Sequence, residues 1–199
     1  MSIPALVAKR LIPVAMSHES AEAMAAAMAA PTGHKVGVRH ESQLGTFWCW
    51  AAVATAMRAF VRSDLPAMSQ CDVAKLHLGH SQSCCVNGRA NGDCDMTQPP
   101  ERALATVGVK VKPATGTLPA HQVKAELTAK PKNRPICLLI RFEKRPDHVV
   151  QLDGFRDTGT LVYQINDPER GPVEVSETEL LTNYRDEKGQ WFRTYLLES

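Results

Sequence analysis

One ten-residue stretch carries the first chemical signal: Gln43-Leu44-Gly45-Thr46-Phe47-Trp48-Cys49-Trp50-Ala51-Ala52. Cys49 stands where an apolar, alanine-rich helical run begins. The first turn of a helix carries partial positive charge and free N–H groups, and both favour thiolate over thiol. The N–H of Cys49 can also face the oxyanion that forms when its sulfur attacks a carbonyl. A second donor is required, and the side-chain amide of Gln43, six residues upstream, can curl back to supply it. Gly45 permits the close approach this needs.

A nucleophilic thiolate also needs a base, and the base needs an orienting group. Seven histidines are present, and only His148 opens a strand whose hairpin returns with a carboxylate at its far end. If Arg156-Asp157-Thr158-Gly159 forms the turn and Phe155 faces Thr160, then His148 falls directly opposite Asp167 on one face. Val150, Leu152, Tyr163 and Ile165 share that face as a core surface. Asp147 and Asp153 point the other way by parity. Asn166 misses by one residue, and a bulge would exchange it with Asp167.

Several elements must position these groups. Trp50, Val53, Met57 and Phe60 recur at helical spacing, so Trp50 to Arg62 reads as a helix. Ser69-Gln70-Cys71-Asp72 resembles a capping box that opens a second helix, through Leu78 to Gly79. Helices are also expected over Thr97–Val107 and Pro119–Lys130. Strands follow at Ile136–Phe142, His148–Phe155, Leu161–Asn166 and Trp191–Leu197. Helices first and strands later predict an α+β domain with a largely antiparallel sheet. Residues 1–38 read as an extension with a helix from Ser20 to Pro31, and 39–199 as the domain. Lys9, Arg10, Glu19 and Glu22 argue against a secretory signal.

The whole chain sets the frame. Its 199 residues are 44% hydrophobic and 22% charged, the balance of a single globular domain. A formal net charge of +2 and 6% aromatics give no basis for a nucleic-acid partner. No apolar run reaches the ~18 residues of a membrane span.

The six cysteines divide into three groups. Cys137, in Ile136-Cys137-Leu138-Leu139-Ile140, reads as a buried thiol. Cys71, Cys84, Cys85 and Cys94 crowd one segment with His77 and His80. Zinc is disfavoured there: no Cys-x-x-Cys pair occurs, and adjacent cysteines do not easily share one tetrahedral ion. The four make two disulfides if the protein spends time outside a reducing cytosol, with a connectivity that sequence leaves open.

The Gln–Cys spacing, the Cys49-Trp50-Ala51 helix start, and a later strand histidine followed by Asn166-Asp167-Pro168 resemble the papain-like cysteine peptidases. Within them the chain is most similar to two bacterial branches, the secreted-effector peptidases and the double-glycine bacteriocin-leader peptidases. The resemblance spans about residue 40 to the C-terminus. It implies a papain-like α+β fold, a helical part carrying the nucleophile and an antiparallel sheet carrying His and Asp. It further implies Cys49 as nucleophile, His148 as base and acid, Asp167 as orienter and Gln43 as oxyanion donor. From the residues themselves, Trp48 and Trp50 read as packing side chains, with Trp48, beside the nucleophile, the candidate to line the substrate cleft. Neither metal nor cofactor is implied. The substrate would be a protein, with an immunity or inhibitor protein as a further partner. Delivery by a specialised secretion system into a target-cell cytoplasm is the matching biology. Phe47-Trp48 departs from the small residues that precede the cysteine in papain itself. The same scaffold also serves amidases, deamidases and acyltransferases on substrates such as peptidoglycan; a non-catalytic binding module is the reading from another class.

Overall fold

The computed structural model describes residues 32–130 and 133–198. The helix expected between Ser20 and Pro31 lies outside them.

Helix α1, Cys49–Val61, starts one residue earlier than its apolar spacing suggested. Trp50, Val53 and Met57 are buried along it. Helix α2, Gln70–Leu78, opens with the expected capping box: Asp72 N–H donates to Ser69 Oγ at 3.2 Å, and Ser69 N–H to Asp72 Oδ2 at 3.1 Å. Gly79 ends it in the left-handed conformation, φ 69°. Helix α3 is shorter than expected, Pro100–Thr106, because Pro99 and Pro100 hold the residues before it extended. Helix α4, Ala120–Leu127, stops short of Lys130. Among the described residues no helix is long and apolar enough to cross a membrane.

The described strands of the main sheet are all antiparallel to their neighbours. They are β1 (Thr32–Lys35), β4 (Val111–Thr115), β5 (Ile136–Arg141), β6 (His148–Asp157), β7 (Leu161–Asp167), β8 (Gly171–Ser176) and β9 (Gln190–Leu197). The order is β4-β9-β5-β6-β7-β8, and β1 pairs with the end of β6 beyond the reach of β5. A short ribbon, β2 (Cys85–Val86) and β3 (Arg89–Ala90), stands apart from it. Helix α5, Glu177–Thr182, follows β8.

Strands β1, β4 and β8 were not anticipated. They lie at the margins of the sheet and carry glycine or proline, which edge positions tolerate and which erase the alternating pattern. Thr32–Lys35, placed in the extension by sequence, thus pairs with the sheet.

Two cores sit on opposite faces. One packs α1, α2 and α3 against Cys137, Val149 and Tyr195. The other holds Leu138, Ile140, Val150, Leu152, Tyr163 and Ile165. The core face foreseen from Val150, Leu152, Tyr163 and Ile165 is therefore present.

Candidate active site

Cys49 opens α1 and is 6% exposed. The N-cap position is Trp48, whose side chain makes no capping hydrogen bond. A serine or aspartate there would have consumed first-turn N–H groups; tryptophan leaves them to other acceptors.

The turn before Cys49 is held from outside. Thr46 N–H donates to Asp95 Oδ2 at 2.9 Å and Phe47 N–H to Asp95 Oδ1 at 2.8 Å. Trp48 Nε1 donates to the Cys94 carbonyl at 2.7 Å, and Trp50 Nε1 to that of Met96 at 2.8 Å. Packing around Gly45 leaves no room for a side chain. A Cβ there would lie 2.6 Å from both Ala90 Cβ and Asp95 Oδ1.

His148 opens β6 and is 3% exposed. Its Nε2 lies 2.9 Å from Asp167 Oδ1. The Cys49 thiol acts on the ring as well, through charge and hydrogen bonding that raise its proton affinity. Burial works against an imidazolium here, but hydrogen bonds and charge from Asp167 and Cys49 outweigh it, lifting the ring to about 9. Burial likewise opposes the Asp167 charge, and His148 and Arg185 overcome it, holding the carboxyl far below the usual range.

The pairing by which they meet differs from the expected one. The turn closes later, with Asp157 opposite Leu161, and the ladder slips at Asp153, between Leu152–Ile165 and Gly154–Gln164. Beyond that bulge Gln151 faces Asn166. The same register puts Val150 opposite Asp167 and His148 on the diagonal, still within reach of these side chains. Asn166 does not replace the aspartate. Its Nδ2 donates to the Val38 carbonyl at 3.0 Å.

Sequence reasoning missed Arg185 and Tyr184. Arg185 Nε donates to Asp167 Oδ2 at 2.8 Å, its Nη2 contacts both carboxylate oxygens, and Nη2 lies 2.9 Å from His148 Nε2. Tyr184 Oη donates to Asp167 Oδ2 at 2.7 Å. Both come from a tight loop closed by the Tyr184–Gly189 bridge, where Arg185, Asp186 and Lys188 all take positive φ. Arg185 Nη1 also contacts Glu169, which Arg145 holds at 2.7 Å. Nothing local in Asn183-Tyr184-Arg185 marks it as a site; only the fold brings it there.

Trp48 is not a cleft wall: it is 0% exposed, with its indole locked against the Cys94 carbonyl. Gln43 gives its Nε2 to the Thr46 carbonyl at 3.0 Å, while its Oε1 is buried without a partner. Cys49 lines a cavity of about 530 Å³ with Pro99, Leu139, Asp147, Val149 and Tyr195. Gln43 lines a second depression of about 470 Å³ with Thr46, Arg89, Asp95 and Glu169.

The crowded cysteines pair as Cys71–Cys85 and Cys84–Cys94, leaving Cys49 and Cys137 as free thiols. His80 comes within 4.8 Å of the Cys84 and Cys94 sulfurs, but those are bonded to each other. His77 is occupied by Thr106 at 2.9 Å and Gln98 at 3.3 Å, with its ring 5.1 Å from that of Trp50. Burial pushes the Cys137 thiol well above its ordinary range, as suits a core residue.

No protein-family model matches the sequence, and a search of curated proteins finds no match. Among solved structures, a double glycine motif protease from an AMS/PCAT transporter, in complex with the leader peptide, is similar over 83% of this chain and 95% of that one. The identity is 17% and the TM-score 0.49. At that level of likeness, the geometry of the described residues carries the functional reading.

Proposed function

We propose that this protein is a papain-like cysteine peptidase acting through Cys49, His148 and Asp167. One observation supports the reading: His148 is buried with its Nε2 2.9 Å from Asp167 Oδ1, and that carboxylate and the Cys49 thiol both raise its proton affinity.

In the proposed reaction the Cys49 sulfur attacks a peptide carbonyl and a C–S bond forms. The Cys49 N–H receives the oxyanion. Gln43 is the second donor, which requires its amide to leave the Thr46 carbonyl when substrate enters. His148 gives its proton to the leaving nitrogen as the C–N bond breaks. It then takes a proton from water, which attacks the thioester and releases Cys49. Asp167 and Arg185 fix the ring throughout.

The two disulfides support passage through an oxidising compartment. Export as an effector or toxin, with a neutralising protein in the producing cell, belongs to the same proposal.

A peptide library read by mass spectrometry tests the chemistry. The protein should cut peptides, and Cys49→Ala should cut none. Cleavage surviving that substitution would refute the reading. Ammonia release or peptidoglycan hydrolysis without peptide cuts would move it to an amidase or deamidase on the same scaffold.

A further inference from the structure

The turn that delivers Cys49 has little internal support. Its own contacts are Trp48 N–H on the Gly45 carbonyl, at 3.5 Å, and the Gln43 amide on Thr46. From outside, the Pro168 carbonyl takes Gln43 N–H at 2.9 Å and Gln70 Oε1 takes Leu44 N–H at 3.1 Å, while the residues nearest Cys49 are held by the segment 90–96. Ala90 N–H donates to the Leu44 carbonyl at 3.1 Å, Asp95 takes the two N–H groups of Thr46 and Phe47, and the Cys94 and Met96 carbonyls take both indoles.

Asp95 is suited to this task. A carboxylate spans two adjacent N–H groups, one per oxygen, and charge strengthens both bonds. Those two N–H groups fix the direction of the peptide planes leading to Trp48 and Cys49, and therefore the aim of the Cys49 N–H. Gly45 packs directly on Asp95 Oδ1, so a shift of one moves the other.

Asp95 has no helix or long strand beneath it. Its placement comes from a loop in which Cys94 and Asp95 N–H both donate to the Asn91 carbonyl, at 3.1 and 2.9 Å. Cys94, the neighbouring residue, is bonded to Cys84 ten positions away. Cys84 adjoins Cys85, which ties the ribbon to Cys71 on α2.

We infer that Asp95 is a positioning residue for the nucleophile turn, and that the Cys84–Cys94 bridge places this function under redox control. A dithiol opens the bridge by exchange: two thiols form on the protein and the reductant leaves as a cyclic disulfide. The loop then gains freedom and Asp95 releases the turn. The consequence runs opposite to the habit of thiol enzymes, which reductants revive by freeing the nucleophile. Here the nucleophile is already free, and the reductant removes its support. The inference rests on the peptidase reading above.

The experiment compares two reagents at Cys49 in the full chain. A peptide aldehyde forms an adduct whose oxygen needs the oxyanion donors; iodoacetamide displaces halide and does not. Asp95→Asn keeps one acceptor and opposes an N–H with its own NH₂. It should lower kcat about tenfold or more, with KM within about threefold, and weaken the aldehyde in parallel. Iodoacetamide should still alkylate Cys49 within about threefold of the parent rate, which a merely unfolded variant would not show. In a Cys71→Ser, Cys85→Ser background, opening the remaining bridge should reproduce that pattern, and reoxidation should reverse it. Unchanged kcat and aldehyde affinity in Asp95→Asn, or after the bridge opens, overturns the inference. A parent protein that alkylates at Cys49 yet cuts no peptide and binds no aldehyde overturns the peptidase reading instead.

Discussion

His148 and Asp167 meet at 2.9 Å although no rung of the β6–β7 ladder joins them. The late turn alone would put them on opposite faces of the sheet. The extra residue at Asp153 restores the parity, because one added residue flips every side chain beyond it. The bulge is itself held: Asp153 Oδ1 accepts from Gly37 N–H at 3.1 Å and Val38 N–H at 2.8 Å, and its carbonyl from Val36 N–H at 2.7 Å. Deleting Asp153 should therefore abolish peptide cleavage while leaving a folded α+β protein by circular dichroism. Cleavage at the parent rate would show that the bulge does not set the site.

The His148 pairing predicts a pH profile. A ring raised to about 9 keeps its proton across neutrality, so kcat/KM should fall on an alkaline limb near that value. Asp167→Asn removes a raising influence and should move the limb down by about one to three units. For stability the sign is the same. The His148 contribution is full below its unfolded value of about 6.5 and fades as pH rises through about 9. The lowered Asp167 carboxyl contributes above its unfolded value of about 3.9, and that part is lost on acidification. Rate measurements and urea titrations across pH check both.

Arg185→Met leaves the fully buried Asp167 carboxylate without its guanidinium. Stripping one partner from such a pair costs about 3–5 kcal/mol, and denaturant titration should show a loss of that order. Arg185→Lys should recover part of it, since an ammonium restores charge but not the forked contact. A loss below about 1 kcal/mol for the methionine variant would mean that Tyr184 and the Glu169 and Arg170 N–H groups, which donate to Asp167 Oδ1 at 2.9 and 3.3 Å, suffice.

Gln43 separates two roles. If its amide turns to the oxyanion during reaction, Gln43→Ala should lower kcat about 10²–10³-fold with little change in KM. If it stays on the Thr46 carbonyl, the loss should appear in thermal stability and kcat should change little. Steady-state kinetics and a melting curve on one preparation decide between them.

The helices and inner strands were legible because each announces itself locally. Trp50, Val53 and Met57 give a helical stripe, Ser69 and Asp72 a cap, and Ile136–Ile140 an apolar run. The Cys49, His148 and Asp167 grouping was legible from residue types on those elements. The correct strand parity was not legible from the expected turn; two departures, a later turn and a bulge, cancelled in direction. Trp48 is packed, as its type suggested, but a large aromatic beside a nucleophile also looks like a cleft wall, and that candidacy fails because its indole reaches a carbonyl forty-six positions away. Arg185 was invisible for a related reason. Its value arises from loop closure at Gly189, which no short-range pattern encodes.

The strap from Val36 to Gln43 ties the site together without contributing a side chain to the triad. It clasps the bulge at one end, takes Asn166 on the Val38 carbonyl, sets His40 Nε2 2.9 Å from the Asp167 carbonyl, and donates Gln43 N–H to Pro168 at 2.9 Å. A single proteolytic nick within it would spare every reacting atom and yet unfasten the acid from the base. Such a cut is a means of retiring the molecule that leaves its chemistry intact on paper.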